Sequence, residues 1–238
     1  LVICVADDPG MHSSQNEQDS RRYAIASKVP MLEPADSDEA KEYAKLAFEI
    51  SEKFDTPVMI RMCTRIAHSQ SITELCERID RPLPKYEKKP QKYIMMPAYA
   101  KLRHPFVEER TERLAQYAET SPLNKVEYAD CSIGIITSGA SYQYVKEVFG
   151  DKYSILKLGM VNPISKKLVS DFASKVDRLI VIEELDPVIE EFCKCIGLSV
   201  EGKSLFSCIG EFSQKTIAKA MGKDDKETYD LGMDIPML

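Results

Sequence analysis

The sequence contains no apolar run approaching the roughly 20 residues that a helix needs to cross a bilayer, and no basic, apolar and small-residue series of the secretory kind. A spanning helix and a secretory leader are therefore not expected, and a cytoplasmic location is. Nor is there an excess of positive charge: 38 acidic residues against 32 basic ones give a formal charge of -6, the wrong sign for gripping a duplex backbone. Nucleic acid and membrane are set aside as partners in favour of small molecules and other proteins. An even disulfide framework is missing too. Seven cysteines (Cys4, Cys63, Cys76, Cys131, Cys193, Cys195 and Cys208) lie scattered along the chain, which favours a reducing compartment. Only Cys193 and Cys195 are close, and Cys-x-Cys without a second pair or a nearby histidine is a poor match to zinc or iron-sulfur spacing. No metal site is expected, and a helix with one buried and one exposed thiol is.

What is present is 44% apolar residues over 238 positions, enough for one large core or two modest ones. Leu1 to Ala6 is a continuous β-prone apolar run with no preceding turn or cap, as for a strand buried on both faces of a parallel sheet. The chain thus reads as an internal piece of a larger α/β enzyme. A helix is expected around Glu17 to Ala26 and a strand over Val29 to Leu32. Asp36 with Glu39 forms a capping-box pattern, and Ala40, Tyr43, Ala44, Ala47 and Phe48 repeat at helical spacing before Pro57. Val58 to Cys63 reads as the next buried strand. This order is that of a partial doubly wound parallel-sheet domain, with chemistry at the strand C-terminal ends.

From residue 71 to 128 the periodicity fades, and an interdomain connection with one or two helices is expected, one of them over Phe106 to Ala118. The Lys85 to Lys92 cluster could meet an acidic partner or be a solvated linker. A second small α/β domain is expected over 129–238, with strands at Ser132 to Thr137, Tyr153 to Leu158 and Leu179 to Glu184. Its helices are expected at Tyr142 to Phe149, Ser165 to Val176 and Pro187 to Cys195, and Lys223 to Leu238 reads as the start of a further linker.

The densest polar constellation is ADDPGMHSSQNEQDSR, from Ala6 to Arg21, where a buried strand gives way to a helix. Free N–H groups at such a junction can hold an anion or a carbonyl oxygen. Asp, Ser and Asn in a turn can equally be satisfying their own backbone, and composition does not choose. The turn Thr137 to Ser141 poses the same alternative. Glu183 and Glu184 end a strand, but alternation sends them to opposite faces, so domain-interface contacts are expected there.

The run ADDPGMHSSQNEQDSRRYA resembles the signature loop of the alpha subunits of indolepyruvate ferredoxin oxidoreductases, a branch of the thiamine-diphosphate-dependent 2-oxoacid ferredoxin oxidoreductases. The resemblance continues through KVPMLEP (28–34), the Asp36 helix, and TPV (56–58) to TRIAHS (64–69), and more loosely through GIITSG (134–139) and IEE (182–184). It implies the C-terminal part of a pyrimidine-type domain over 1–70, followed by a domain like the transketolase C-terminal domain. It further implies a parent enzyme that decarboxylates an aryl pyruvate on thiamine diphosphate with magnesium, passes electrons through [4Fe-4S] clusters to ferredoxin, and releases an acyl-CoA. Pyruvate or another 2-oxoacid is the alternative substrate, and a dimerisation or scaffold role the alternative function. The implied partners are the remaining domains, a smaller second subunit, ferredoxin and the oxoacid, in a dimeric or higher assembly. The sequence lacks the family's Gly-Asp-Gly with a downstream Asn for magnesium diphosphate, and its Cys-x-x-Cys-x-x-Cys cluster ligands, so the chain alone is expected to be inactive.

Within the resemblance, His12, Ser13, Ser14, Gln15 and Asn16 are the candidates for facing the thiamine ring or the oxoacid. His12 could serve as a proton shuttle or as a hydrogen-bonding residue. Asp19 and Arg21 would order the loop by a local charge-assisted contact. Arg65, His68 and Ser69 follow the third strand, and Arg65 could take a substrate carboxylate bidentately or form a surface ion pair.

Overall fold

The computed structural model describes residues 1–78, 80 and 85–223; apart from Lys223, the expected closing linker, Lys223 to Leu238, lies outside them. The chain opens with β1 (Val2–Asp7), α1 (Arg21–Ser27) and β2 (Met31–Leu32), followed by α2 (Ser37–Phe54) and β3 (Val58–Cys63). The Asp36 carboxylate accepts from the Glu39 N–H at 2.9 Å and caps α2. Glu39 reaches back to the N–H of Ala35 rather than to that of Asp36. The ammonium groups of Lys157 and Lys125 also form ion pairs with it. The buried stripe of α2 is Tyr43, Ala47, Ile50 and Phe54; the expected Phe48 lies one residue off that stripe and is 57% exposed.

α3 (Thr64–His68), α4 (Pro90–Tyr93) and α5 (Pro97–Thr120) come next. The last contains the expected 106–118 helix and extends it a further nine residues toward the N-terminus, through Pro105. The later half contains β4 (Lys125–Glu127), β5 (Asp130–Ser138), α6 (Gly139–Phe149), β6 (Tyr153–Leu158) and β7 (Met160–Asn162). It closes with α7 (Lys166–Ala173), β8 (Arg178–Ile182), α8 (Val188–Cys195) and α9 (Gln214–Ala220). Within α8, Cys193 is buried and Cys195 exposed.

Two four-stranded sheets result, in the orders β1-β3-β2-β7 and β4-β6-β5-β8. β1, β3 and β2 are mutually parallel, as are β6, β5 and β8; β7 and β4 join antiparallel. β7 was not read from the sequence, because three residues between Gly159 and Pro163 show no period. It carries the chain out of the second sheet into the first. At the crossing, a Cβ on Gly159 would stand 2.2 Å from the Leu123 carbonyl oxygen, so the close approach requires glycine.

β1 corrects an expectation. It pairs on one side only, with β3, and Leu1, Ile3 and Cys4 are exposed. As the edge strand it is not buried on both faces within the described residues.

Apolar side chains fill three main layers. Tyr43, Ile50, Phe54, Val58, Leu114 and Leu123 pack α2 and α5 onto the first sheet. Met31, Ile136, Leu156, Val161 and Phe172 join the two sheets, and Val145, Phe149, Ile180, Phe206, Phe212 and Ile217 cover the far face of the second. Burying each such side chain contributes about 1.5–3 kcal/mol, which is what fixes the strand ends relative to one another.

Candidate functional site

The C-terminal ends of the parallel strands in both sheets meet, and charged side chains fill the junction. Asp7 ends β1, Arg61 lies near the end of β3, Glu33 follows β2, Ser138 ends β5 and Glu183 follows β8. Arg61 forms ion pairs with Asp7 and Glu33, and the Ser138 hydroxyl donates to Glu33 at 3.0 Å. Glu33 also lies against Gly139, where a Cβ would come within 2.6 Å of its carboxylate. The anion at the start of α6 is therefore a carboxylate from the first sheet. Arg21, 1% exposed, donates to both oxygens of Asp19, to Glu183 at 2.6 Å, and to the carbonyls of Glu184 and Asp186. Asp19 and Arg21 thus contact each other, but Arg21 also crosses to the second sheet, which a two-residue spacing could not reveal.

Glu183 and Glu184 turn to opposite sides, as alternation requires. Glu183 receives Arg21 and the first N–H groups of α8, while Glu184 accepts from the Phe212 N–H. Burial pushes the Glu184 carboxyl upward, outweighing that N–H and the charge of Arg61. Leu185 between them and Asp186 holds a left-handed φ of 60°.

The polar loop between β1 and α1 is organised by three carboxylates. Asp8 accepts from the N–H groups of Ser13 and Ser14 at 3.0 and 3.1 Å and from the Thr64 hydroxyl at 2.6 Å. The Ser13 N–H and Thr64 hydroxyl hold its carboxyl well below the usual carboxylate range despite burial. Asp7 accepts from the Ser20 N–H and hydroxyl, so the hydroxyl does not cap the helix, and α1 begins at Arg21 rather than around the expected Glu17. Glu17 uses a single oxygen, Oε1, to accept from the N–H of Gly10 at 2.9 Å and of Gly210 at 2.6 Å. Both glycines are left-handed, with φ of 83° and 82°.

Of the candidate residues, His12 and Arg65 are brought together, through Glu211. His12 Nε2 lies 3.0 Å from Glu211 Oε2, and Arg65 Nε donates to the same oxygen at 2.7 Å while its Nη2 donates to Oε1. Arg65 raises the ordinary acidity of Glu211, outweighing its partial burial. Ser13 and Ser14 are pinned by their backbones to Asp8, Gln15 is exposed, and Asn16 donates to the Glu17 carbonyl. Asn16 also lines a cleft of about 650 Å³ with Glu17, Gln18, Arg22, Asp186 and Cys208. His68 ends α3, exposed, and no described contact joins it to the His12–Glu211–Arg65 group. Ser69 bonds to Ser37 instead. A second cleft, of about 370 Å³, lies between Arg65, Ser69, Gln143 and Tyr144.

Glu211 and Glu17 were not singled out from the sequence. Glu17 stood inside the polar run without a distinguishing mark. Glu211 follows Gly210 in a stretch without period, 199 residues from His12 and 146 from Arg65, and no local signal could have found it.

No helix is long and apolar enough to cross a membrane among the described residues. No protein-family model matches the sequence. The chain is 39% identical over 209 residues to the indolepyruvate oxidoreductase subunit IorA of Archaeoglobus fulgidus, covering 85% of this chain and 34% of the relative. It is 37% identical to the IorA subunit of Thermococcus kodakarensis, over all of this chain and 38% of the relative, and 35% identical to that of Methanothermobacter marburgensis, over all of this chain and 41% of the relative. The chain therefore spans roughly two fifths or less of the length of the curated relatives it matches. A 2-oxoglutarate:ferredoxin oxidoreductase from Magnetococcus marinus superimposes with a TM-score of 0.63 at 14% identity, over 93% of this chain and 48% of that one. A split-gene transketolase, an inactive beta4 tetramer, gives 0.56 at 14% identity, over 93% and 65%. These two show the α/β fold that both sheets build. With 34–39% identity running through 85–100% of its residues, the chain belongs to the family of the indolepyruvate oxidoreductase IorA subunits.

Proposed function

We propose that this chain supplies one wall of the substrate site in a thiamine-diphosphate-dependent oxidoreductase that converts an aryl pyruvate to an acyl-CoA and passes the electrons through [4Fe-4S] clusters to ferredoxin. The observation that carries the reading is the identity to IorA subunits along the whole chain. The meeting of His12 and Arg65 at the C-terminal edge of the first sheet supports it. Residues 1–70 would be the pyrimidine-type portion, 71–128 the connection, and 129–238 the part like the transketolase C-terminal domain.

The residues present do not fit a magnesium diphosphate. Among the described residues no three His, Cys, Asp or Glu side chains converge as metal ligands. The diphosphate, magnesium and cluster ligands would be supplied by the parent enzyme outside this chain, with a smaller second subunit as its partner. Here Arg65 would take the oxoacid carboxylate, and His12, Ser13, Ser14, Gln15 and Asn16 would offer hydrogen bonds to the oxoacid or the cofactor ring. His68 would act at the rim. The N–H groups of Ser13 and Ser14 donate to Asp8, which fixes the backbone of this part of the loop before any ligand arrives.

A scaffold role is the second reading, favoured by the buried lattice around Arg21 and Arg61 that joins the two sheets. Anaerobic dye reduction by the full-length enzyme with its partner subunit, CoA and thiamine diphosphate separates the two. Indolepyruvate should outpace pyruvate. Replacing Ser13, Gln15 and Asn16 together by alanine should cut turnover about 100-fold or more. Normal turnover by the triple variant would leave the loop structural, and a preference for pyruvate would overturn the aryl substrate alone.

A further inference from the structure

Glu211 stands outside the polar loop, yet His12 of that loop and Arg65 of α3 converge on it. Its backbone is fixed on each side. The Gly210 N–H donates to Glu17 at 2.6 Å, and the Phe212 N–H donates to the buried Glu184 at 2.7 Å. A carboxylate mounted so firmly has a defined direction, and it grips Arg65 by the Nε–Nη2 edge, with Oε2 at 2.7 Å from Nε.

A guanidinium has two edges that can each meet a carboxylate with two parallel hydrogen bonds. With the Nε–Nη2 edge filled, the Nη1–Nη2 edge remains. Arg65 Nη1 donates to no group among the described residues, and the side chain is 56% exposed. The second cleft, which Arg65 lines, adjoins it. Glu211 thus removes the rotational freedom of a long, flexible side chain while leaving one recognition edge unused. The same carboxylate oxygen faces His12 at 3.0 Å, so the ring and the guanidinium keep a fixed spacing.

We propose that Glu211 is a positioning residue for substrate recognition: it holds Arg65 by one edge so that the other edge is presented to the carboxylate of a 2-oxoacid, and keeps His12 beside it. This rests on the reading that Arg65 meets the substrate carboxylate. The opposing physical effect is that a nearby negative charge repels a second carboxylate. The two effects predict opposite signs. If positioning dominates, removing the charge of Glu211 weakens substrate binding; if repulsion dominates, it tightens binding.

The experiment is steady-state kinetics of the full-length enzyme with its partner subunit, for Glu211→Gln, Glu211→Asp, Arg65→Lys and the Glu211→Gln/Arg65→Lys double variant. Glu211→Gln should raise KM for the 2-oxoacid about 10-fold while kcat stays within about 2-fold. Glu211→Asp, which keeps the charge, should restore part of that loss. Arg65→Lys should raise KM at least as much, and adding Glu211→Gln to it should change little further, because Glu211 acts through Arg65. An unchanged or lowered KM in Glu211→Gln beside a raised KM in Arg65→Lys would overturn the role of Glu211 alone. An unchanged KM in Arg65→Lys would overturn the reading of Arg65 and the role of Glu211 with it. Should Glu211→Gln fail to assemble, Glu211→Asp alone carries the prediction, as a smaller rise in KM whose absence would overturn it.

Discussion

Arg21 is 1% exposed, and its guanidinium donates to Asp19, to Glu183 and to the carbonyls of Glu184 and Asp186. Replacing it by alanine strands two carboxylates without their cation. The expected cost is about 3–5 kcal/mol, read from the denaturant midpoint at pH 7. Burial raises the Asp19 carboxyl, but Arg21 lowers it further, so it ends at about 2 against an ordinary 3.8. A folded-state value below the unfolded one means that this contribution is complete above about pH 4 and is lost as the pH falls through about 2. The stability gap between wild type and Asp19→Asn should therefore be flat from pH 7 to about 4 and shrink below it; a gap that widened in acid would refute the assignment. The sequence made the Asp19–Arg21 pairing legible, because the two lie two residues apart at a helix start. Glu183 as the partner of Arg21, and Glu211 as that of His12 and Arg65, were not legible, since only the folded chain brings residues 146 to 199 positions distant within hydrogen-bond reach.

Among the elements, α2 was the most legible, because cap, period and terminating proline agreed. Its N-cap nevertheless does more than end a helix. Asp36 Oδ1 accepts from Glu39, and Oδ2 accepts from Gln143 on α6 at 3.0 Å. Asp36→Ala should cost about 1–2 kcal/mol, while Asp36→Asn should cost less than half of that because the amide oxygen still caps. Equal losses in chemical denaturation would show that charge, not capping, is what matters there. β7 and α9 escaped sequence reading for a different reason. The first is too short for a period, and the second follows a loop whose order comes from Glu17, Glu184 and Arg65 rather than from its own residues. β1 differs in the opposite direction: its composition is that of a doubly covered strand, while among the described residues its position is an edge.

At the scale of the molecule, three independent ties join the sheets. β7 carries the chain across, the Asp7–Arg61–Glu33–Ser138 and Arg21–Glu183 contacts span the strand ends, and Lys157 of the second sheet, fully buried, pairs with Glu39 of α2. Apolar packing between the sheets through Met31, Ile136 and Leu156 adds to them. The 238-residue chain should therefore unfold in one transition, with calorimetric and van't Hoff enthalpies equal and with far-ultraviolet and tyrosine signals coincident. Two resolved transitions would mean that the ties are weaker than either sheet's own core. Of these ties, only the contact at Glu183 was foreshadowed in the sequence, by paired carboxylates at a strand end; β7 and the Lys157–Glu39 pair carry no local signal.

The single oxygen of Glu17 that receives both Gly10 and Gly210 couples two amide protons 200 residues apart. Neither proton can meet solvent freely while that oxygen holds it, and one displacement of the Glu17 side chain releases both. In deuterated buffer the two amides share an opening event, so their protection should rise and fall together with any ligand that steadies the loop, making this pair an internal reporter of whether the two halves of the site are closed on one another.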